Sequence, residues 1–313
     1  MLTGECHYNS NIKYWLVFSG GYSSMITTCV ILNYNDYTTT LDLINKIKDF
    51  NVLDYIVVVD NFSTDESYIR LKKYENDKII VIRTDKNGGY GYGNNYGINY
   101  SYKILNADYI LIANPDVEFS NECIIKMRDV LIADNKCAVT SAVSLTPKGE
   151  RQSVIGWKLP TPLEYILTAS MLYTKLFSKM YYPKSYFENK KICEVDCVPG
   201  SLIMVNAKLM IKYGMYDEDI FLYCEEVTLG YKLKQNNLKT ILLLDQSYIH
   251  MHSVSINKSI PSIIKRRKLI LKSRAIFIRK YFNVSKVEML LIRLFFAIAL
   301  LENIIIYKIK GAD

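Results

Sequence analysis

Three carboxylates and two imidazoles carry most of the chemical interest of this 313-residue chain. Asp116 closes the run Tyr109-Ile-Leu-Ile-Ala-Asn-Pro-Asp116, where an apolar stretch gives way to a turn stiffened by Pro115. A carboxylate at the end of a buried strand can bind a hard divalent cation, and it can equally cap a helix or hold a turn. His250 and His252, two of only three histidines, follow another apolar run in Ser247-Tyr-Ile-His-Met-His-Ser-Val-Ser255. If that strand continues, both imidazoles fall on one face, and one could complete a metal site with Asp116. A surface or core histidine is the commoner role of either taken alone. Glu225 and Glu226 stand side by side at the start of a helical stretch. Adjacent carboxylates repel, so one can carry a raised pKa and act as a general base. The plainer alternative is a solvated first turn, favoured by the helix dipole.

A fourth feature is the run Asn87-Gly-Gly-Tyr-Gly-Tyr-Gly-Asn-Asn-Tyr-Gly97. Its five glycines permit positive φ and close backbone approach. Asn94 and Asn95 can cap a following helix whose free N–H groups would face an anion; a flexible hairpin is the alternative. A nicotinamide-type fingerprint should follow the first strand, where this chain has Asn33-Tyr34-Asn35 instead. The phosphate-loop signature ending in Gly-Lys-Ser/Thr is absent. A dinucleotide-dependent oxidoreductase and an ordinary nucleotide triphosphatase are both disfavoured.

These residues must be held by something, and the apolar pattern supplies it. Cys29-Val-Ile-Leu32, Ile56-Val-Val-Val59, Ile79-Ile-Val-Ile82 and Tyr109-Ile-Leu-Ile112 read as strands. Helical stretches alternate with them: one with Leu41, Ile44 and Ile47 on a single face, one opening at Ser63-Thr-Asp-Glu66, and one through Ile104. A βαβαβαβ order argues for a mostly parallel central sheet with helices on both faces, an α/β fold. In such sheets ligands bind beyond the carboxyl ends of the strands. The polar residues at 33–36, 60–63, 87–95 and 114–116 cluster at those ends. Further along, 138–145, 202–205 and 240–244 read as strands and Glu225 to Gln235 as a helix, while 157–191 has no clear pattern.

In this order the motifs resemble the family 2 glycosyltransferases of the GT-A fold, a Rossmann-like α/β architecture. They resemble most the rhamnosyltransferase-like branch that builds bacterial surface polysaccharides. The resemblance runs from Met25 to Ser255 through Val30-Ile-Leu-Asn-Tyr-Asn35, Val59-Asp-Asn-Phe-Ser-Thr-Asp65, the glycine run, Asn114-Pro-Asp-Val117, Pro199-Gly-Ser201, Tyr223-Cys-Glu-Glu226 and His250 with Ser255. It implies that Tyr34, Asn35, Asp60 and Asn61 line a nucleoside pocket, and that Asn87, Gly88 and Asn95 stand beside the nucleotide. It implies that Asp116, with Asn114 in the same motif, serves a Mg²⁺ or Mn²⁺ ion on the diphosphate, joined by His250. It implies that Glu226 is the catalytic base with Glu225 beside it, and that Pro199, Gly200 and Ser201 face the acceptor. The chain departs from the branch in two ways: Glu-Glu replaces the usual Glu-Asp, and Thr228 stands where a further acid often follows; Asn114, in place of the first acid of a full Asp-x-Asp motif, is a form the branch commonly shows.

The implied reaction is inverting, metal-assisted transfer of a sugar, rhamnose among the candidates, from a dTDP- or UDP-sugar to a saccharide or lipid-linked saccharide. A non-catalytic, glycosyltransferase-like membrane assembly subunit is the alternative. The implied organisation is a leader of unknown role over 1–24, a GT-A domain over 25–256 with a nucleotide-binding half (25–118) and an acceptor half (119–256), and a basic helical tail over 257–313.

Charge and cysteine content refine the setting. The formal charge is +8, yet residues 257–286 hold ten Lys or Arg and no acid, so the remainder is nearly neutral at −2. One basic segment points to a local anionic partner, a membrane surface over 257–307 in preference to nucleic acid. The longest uncharged stretch after it, Leu294 to Leu301, is too short to span a bilayer, so an in-plane helix at the cytoplasmic face of the membrane is expected. A hairpin packed on the domain, or a homodimer contact, is the competing expectation. Seven cysteines, an odd number with no zinc-site spacing, fit a reducing compartment.

Overall fold

The computed structural model describes residues 25–177, 180–251, 260 and 262–309. The leader, His252 and Ser255 lie outside the described residues. The first half follows the expected alternation: β1 (Thr27–Asn33), α1 (Tyr37–Ile47), β2 (Tyr55–Asp60), α2 (Ser67–Lys72), β3 (Ile79–Arg83), α3 (Tyr90–Lys103) and β4 (Tyr109–Ala113). These strands are parallel in the order β3-β2-β1-β4. Their runs are apolar throughout because successive side chains serve opposite faces. Cys29, Ile31, Ile56 and Val58 join one core with Leu43, Ile44 and Ile47 of α1. Val30, Val57, Val59 and Ile110 join a second with Ile98 of α3.

The second half comprises β5 (Val117–Glu118), α4 (Asn121–Ala133), β6 (Cys137–Leu145), α5 (Pro162–Leu167), α6 (Met171–Phe177), β7 (Ile192–Val195), β8 (Leu202–Asn206), α7 (Ala207–Leu209), α8 (Glu225–Gln235) and β9 (Lys239–His250). β8 runs antiparallel to both β4 and β6, β6 pairs parallel with β9, and β5 and β7 pair antiparallel with β9. The parallel character is therefore confined to the first four strands and to β6–β9, and the whole sheet is mixed.

The glycine run departs from the expected loop. α3 begins at Tyr90, so Gly91, Gly93 and Gly97 lie inside the helix and Asn94 and Asn95 do not cap it. A helix-interior glycine costs about 1 kcal/mol relative to alanine. Here the missing side chains let α3 lie directly on the sheet. A Cβ at Gly97 would stand 2.5 Å from Val30 Cγ1, and one at Gly93 2.3 Å from Leu32 Cδ1.

The basic segment forms α9 (Ile263–Tyr281) and the segment after it α10 (Lys286–Ile309). They make a hairpin packed on the domain. Phe277 and Ile278 of α9, with Ile292 and Phe296 of α10, share a third core with Tyr165 of α5 and with Cys224 and Val227. α10 has 24 residues and is long and apolar enough to cross a membrane by length and composition. It passes on overall apolar character although its few charges keep its longest uncharged stretch short, and core helices of soluble proteins pass the same test. The six described cysteines are all free and buried.

Candidate active site

The carboxyl ends of β1, β2 and β4 open onto a cleft of 330 Å³ whose walls include Tyr34, Asn61, Asn87, Asn114, Asp116 and His250. A two-residue strand does the critical placing. β5 pairs with the end of β9, setting Val117 opposite His250 and Glu118 opposite Ile249, and Met251 N donates to Asp116 O at 2.9 Å. That register brings His250 Nε2 within 3.5 Å of Asp116 Oδ1, where the carboxylate is largely buried. A carboxylate and an imidazole this close can share one divalent cation. Among the described residues no group of three or more His, Cys, Asp or Glu converges. A cation here would draw its remaining ligands from a bound anion and water, the usual arrangement for Mg²⁺ on a phosphate.

The nucleoside side of the cleft separates lining residues from supporting ones. Asn61 lines it and is held by Nδ2 bonds to Asn87 Oδ1 and Gly89 O, both 3.1 Å. Asp60 does not line it. Its carboxylate is fully buried, accepts from Asn33 Nδ2 at 3.0 Å and Ser63 N at 3.0 Å, and pairs with Arg83 Nε at 3.2 Å. Asp60 thus fixes the β1 and β2 loops from beneath. Asn35, at φ 52°, exchanges bonds with Thr64: its Nδ2 donates to Thr64 Oγ1 at 3.1 Å, and Thr64 N donates to its Oδ1 at 2.8 Å. Gly88 abuts Tyr92, whose ring would lie 2.4 Å from a Cβ there. Asn95, expected beside the nucleotide, is turned away from the cleft. Its Nδ2 donates to Tyr216 O and Glu218 Oε1, and its Oδ1 accepts from Tyr216 N at 2.9 Å. It staples α3 to the 216–218 loop, a task that follows from α3 beginning six residues earlier than an Asn95 cap would require.

Glu225 and Glu226 line a neighbouring cavity of 20 Å³, enough for about one water, together with Gly200, Tyr90 and Tyr216. Tyr90 belongs to both spaces and its hydroxyl donates to Gly200 O at 2.8 Å, so it is the wall between Glu226 and the Asp116–His250 pair. Glu226 Oε1 accepts from Gly200 N at 3.4 Å, and a Cβ at residue 200 would press to 3.3 Å from the same oxygen. Ser201 hydrogen-bonds Tyr248 Oη at 2.7 Å and accepts from Asn114 N, tying the Pro199–Ser201 turn to the loop that carries Asp116. Burial raises the pKa of both glutamates, and for Glu225 the neighbouring Glu226 charge adds to it. Glu225 Oε1 is buried with no hydrogen-bond partner among the described residues. The turn feeding this pair is strained: Tyr223 and Cys224 are both left-handed, at φ 69° and 75°. Thr228 is buried and donates to Cys224 O at 2.7 Å, so this position, two after Glu226, faces the core.

Two features were not visible in the sequence. Tyr90 sat inside a glycine run that read as a loop, and nothing local marks its reach to residue 200. Phe221 and Leu222 complete the cleft from a chain segment with no apolar period.

The family model described as glycosyl transferase family 2 matches residues 28–193, just over half the chain. The low-salt glycan biosynthesis hexosyltransferase Agl10 of Haloferax volcanii is 28% identical over 210 residues, which are 67% of this chain and 62% of that protein. The rhamnosyltransferase WbbL of Escherichia coli K12 is 22% identical over 199 residues, 58% of this chain and 72% of that one. Among solved structures, GalNAc-T7 with UDP, GalNAc and Mn²⁺ aligns with a TM-score of 0.58 at 14% identity, over 74% of this chain and 44% of that one. The mannosyltransferase PcManGT of Pyrobaculum calidifontis, with GDP-Man and Mn²⁺, aligns at 0.54 and 13% identity, over 89% and 72%. These neighbours share the GT-A fold.

Proposed function

Because the chain belongs to glycosyl transferase family 2, we propose that it transfers a sugar from a dTDP- or UDP-sugar to a hydroxyl of a growing, lipid-linked polysaccharide, with inversion at the anomeric carbon. Rhamnose is the first donor sugar to test, with glucose, galactose and galactofuranose after it. The observation that carries the reading is the Asp116–His250 pair at the floor of a cleft whose rim bears Tyr34, Asn61 and Asn87.

Asp116 and His250 would hold a Mg²⁺ or Mn²⁺ ion, which when bound would stabilise the charge on the departing diphosphate. The chain's own part is positioning and proton transfer. Asn61, braced by Asn87 and Gly89, sets one wall of the nucleotide pocket. Glu226 would take the proton of the acceptor hydroxyl as that oxygen attacks the anomeric carbon and the bond to the diphosphate breaks, which requires Tyr90 to move aside so that the glutamate's small cavity joins the cleft. Burial supports this role, since a raised pKa makes the carboxylate a stronger base. Gly200 supplies the backbone N–H that orients it.

The hairpin suggests where the enzyme works. A stripe of α10 is packed inside the protein, so crossing a bilayer would require tearing it from the third core. We therefore place the protein peripherally on the cytoplasmic face of a membrane, where a lipid-linked acceptor would be presented.

Thermal shift with UDP and dTDP, with and without Mn²⁺, tests the donor site, since a ligand of the folded state raises its stability. Nucleotide diphosphate should stabilise the protein, and Asp116→Ala should remove the Mn²⁺-dependent part. An undiminished Mn²⁺ effect in that variant would refute the metal assignment. Donor hydrolysis across a sugar-nucleotide panel tests the chemistry; no turnover with any donor would favour the non-catalytic assembly subunit.

A further inference from the structure

We propose that the groove between α9 and α10 seats the phosphate headgroup of an anionic phospholipid, a site separate from the transferase cleft; the inference rests on the peripheral membrane reading above. The groove has a volume of 510 Å³. Its rim carries Lys268, Lys272 and Arg279 from α9 and Arg293 from α10. Its floor is apolar, with Leu271, Ile276, Phe296 and Leu300. All four cations are exposed, and among the described residues no carboxylate pairs with any of them.

The spacing is what makes this a site. Lys268, Lys272 and Arg279 recur at i, i+4 and i+11, so they share one face of α9. Four like charges around one groove repel one another, and a phosphate between them would relieve that repulsion with charge-assisted hydrogen bonds. The apolar floor distinguishes the ligand class. A nucleic-acid backbone has nothing to bury there, whereas a phospholipid brings an anion and a hydrocarbon chain joined together.

The neighbouring surface says where the chain would go. α10 exposes Leu290, Leu291, Leu294, Ile298, Leu301 and Ile305, each more than half exposed. At 100° per residue this stripe begins next to the groove, on the far side of Ala297 from Phe296. The acids of α10, Glu302 and Glu288, lie about 20° and 60° beyond Leu291, on the edge of the stripe away from the groove, and Glu302 is engaged by Leu172 N. A helix lying in the bilayer surface would thus sink the leucine stripe below the phosphates and hold the groove level with them. A contiguous exposed apolar stripe of this kind marks an interaction surface.

Co-sedimentation with phosphatidylcholine vesicles, with and without phosphatidylglycerol, tests the proposal on the full chain. Binding should require phosphatidylglycerol and weaken with salt. Lys272→Glu with Arg279→Glu should lower it by about tenfold or more while leaving the melting temperature unchanged, because neither side chain has a partner to lose among the described residues. Leu294→Gln with Ile298→Gln should likewise lower binding to the phosphatidylglycerol vesicles. Should the charge-reversed protein bind phosphatidylglycerol vesicles as well as the parent while the leucine-stripe variant fails, the groove is not the seat, although membrane association stands. No vesicle binding by the parent, or a parent dimer that the stripe variant converts to monomer without affecting vesicle binding, would overturn both.

Discussion

Glu225 sits where two effects raise a carboxylate's pKa together, exclusion from water and the like charge of Glu226, while burial raises that of Glu226. Glu226→Gln should keep nucleotide-dependent stabilisation and lower transfer by about 10²–10⁴-fold, read by initial rates on the donor panel. Full activity in that variant would remove Glu226 as the base. The linkage to stability has a definite sign. A carboxylate whose folded pKa is raised binds its proton more tightly in the native state, so the stability it contributes is present below its ordinary value of 4.5 and is lost as pH rises through the raised one. Glu225→Gln should therefore melt higher than the parent by a margin that grows from about pH 5 to about pH 8; parallel melting curves would contradict this. The adjacent acids announced themselves in the sequence, as did Asp116, because chemistry-bearing types at strand and helix ends are a local signal. Tyr90 and the inward-facing Thr228 did not, because their roles depend on Gly200 and Cys224, which the chain brings to them only on folding.

At the scale of elements, the parallel strands were legible because burial on both faces writes an unbroken apolar run. The start of α3 was not, because glycine at 91, 93 and 97 reads as a loop until Leu32, Val30 and Tyr216 are seen pressing on it. Gly89 tests this directly. It has φ 93°, and a Cβ there would stand 2.0 Å from Phe221 O, which also accepts from Tyr90 N. Gly89→Ala should cost about 2–3 kcal/mol in denaturant unfolding and weaken nucleotide binding, since the strain falls on the joint between α3 and the cleft wall. Asn95→Ala should cost about 1–3 kcal/mol, because it leaves buried Tyr216 N without its acceptor. A neutral outcome there would mean that the 216–218 loop is held by other contacts. The pairing of β5 with β9 was equally hidden. Two residues make no strand signal, yet their register is what delivers His250 to Asp116.

For the whole molecule, the tail is where reading along the chain and folding in space diverge most. Its charge and apolar content were plain, but its boundary at 257 suggests an appendage, while the third core joins it to α5 and α8. The tail also reaches the cleft. Ser273 Oγ donates to Leu222 O at 2.7 Å, and Lys280 Nζ bonds Asp217 Oδ1 at 2.7 Å and Asp219 Oδ2 at 2.9 Å, so α9 braces the segment that supplies Phe221 and Leu222 to the pocket wall. Asp217 is almost fully buried and its pKa is lowered by these partners despite the opposing effect of burial, which makes Lys280 a counter-ion that the loop needs. Ending the chain at residue 256 would expose Tyr165, Cys224 and Val227 at once, and the product should bind a hydrophobic dye and lose a cooperative thermal transition. Lys280→Ala is the milder probe. It leaves the third core intact but takes the counter-ion from a buried carboxylate that keeps only Tyr281 Oη and Asp219 N as donors, so the apparent affinity for nucleotide diphosphate should fall several-fold with a lowered melting temperature. If the melting temperature falls while nucleotide affinity holds, the hairpin supports the fold without governing the cleft.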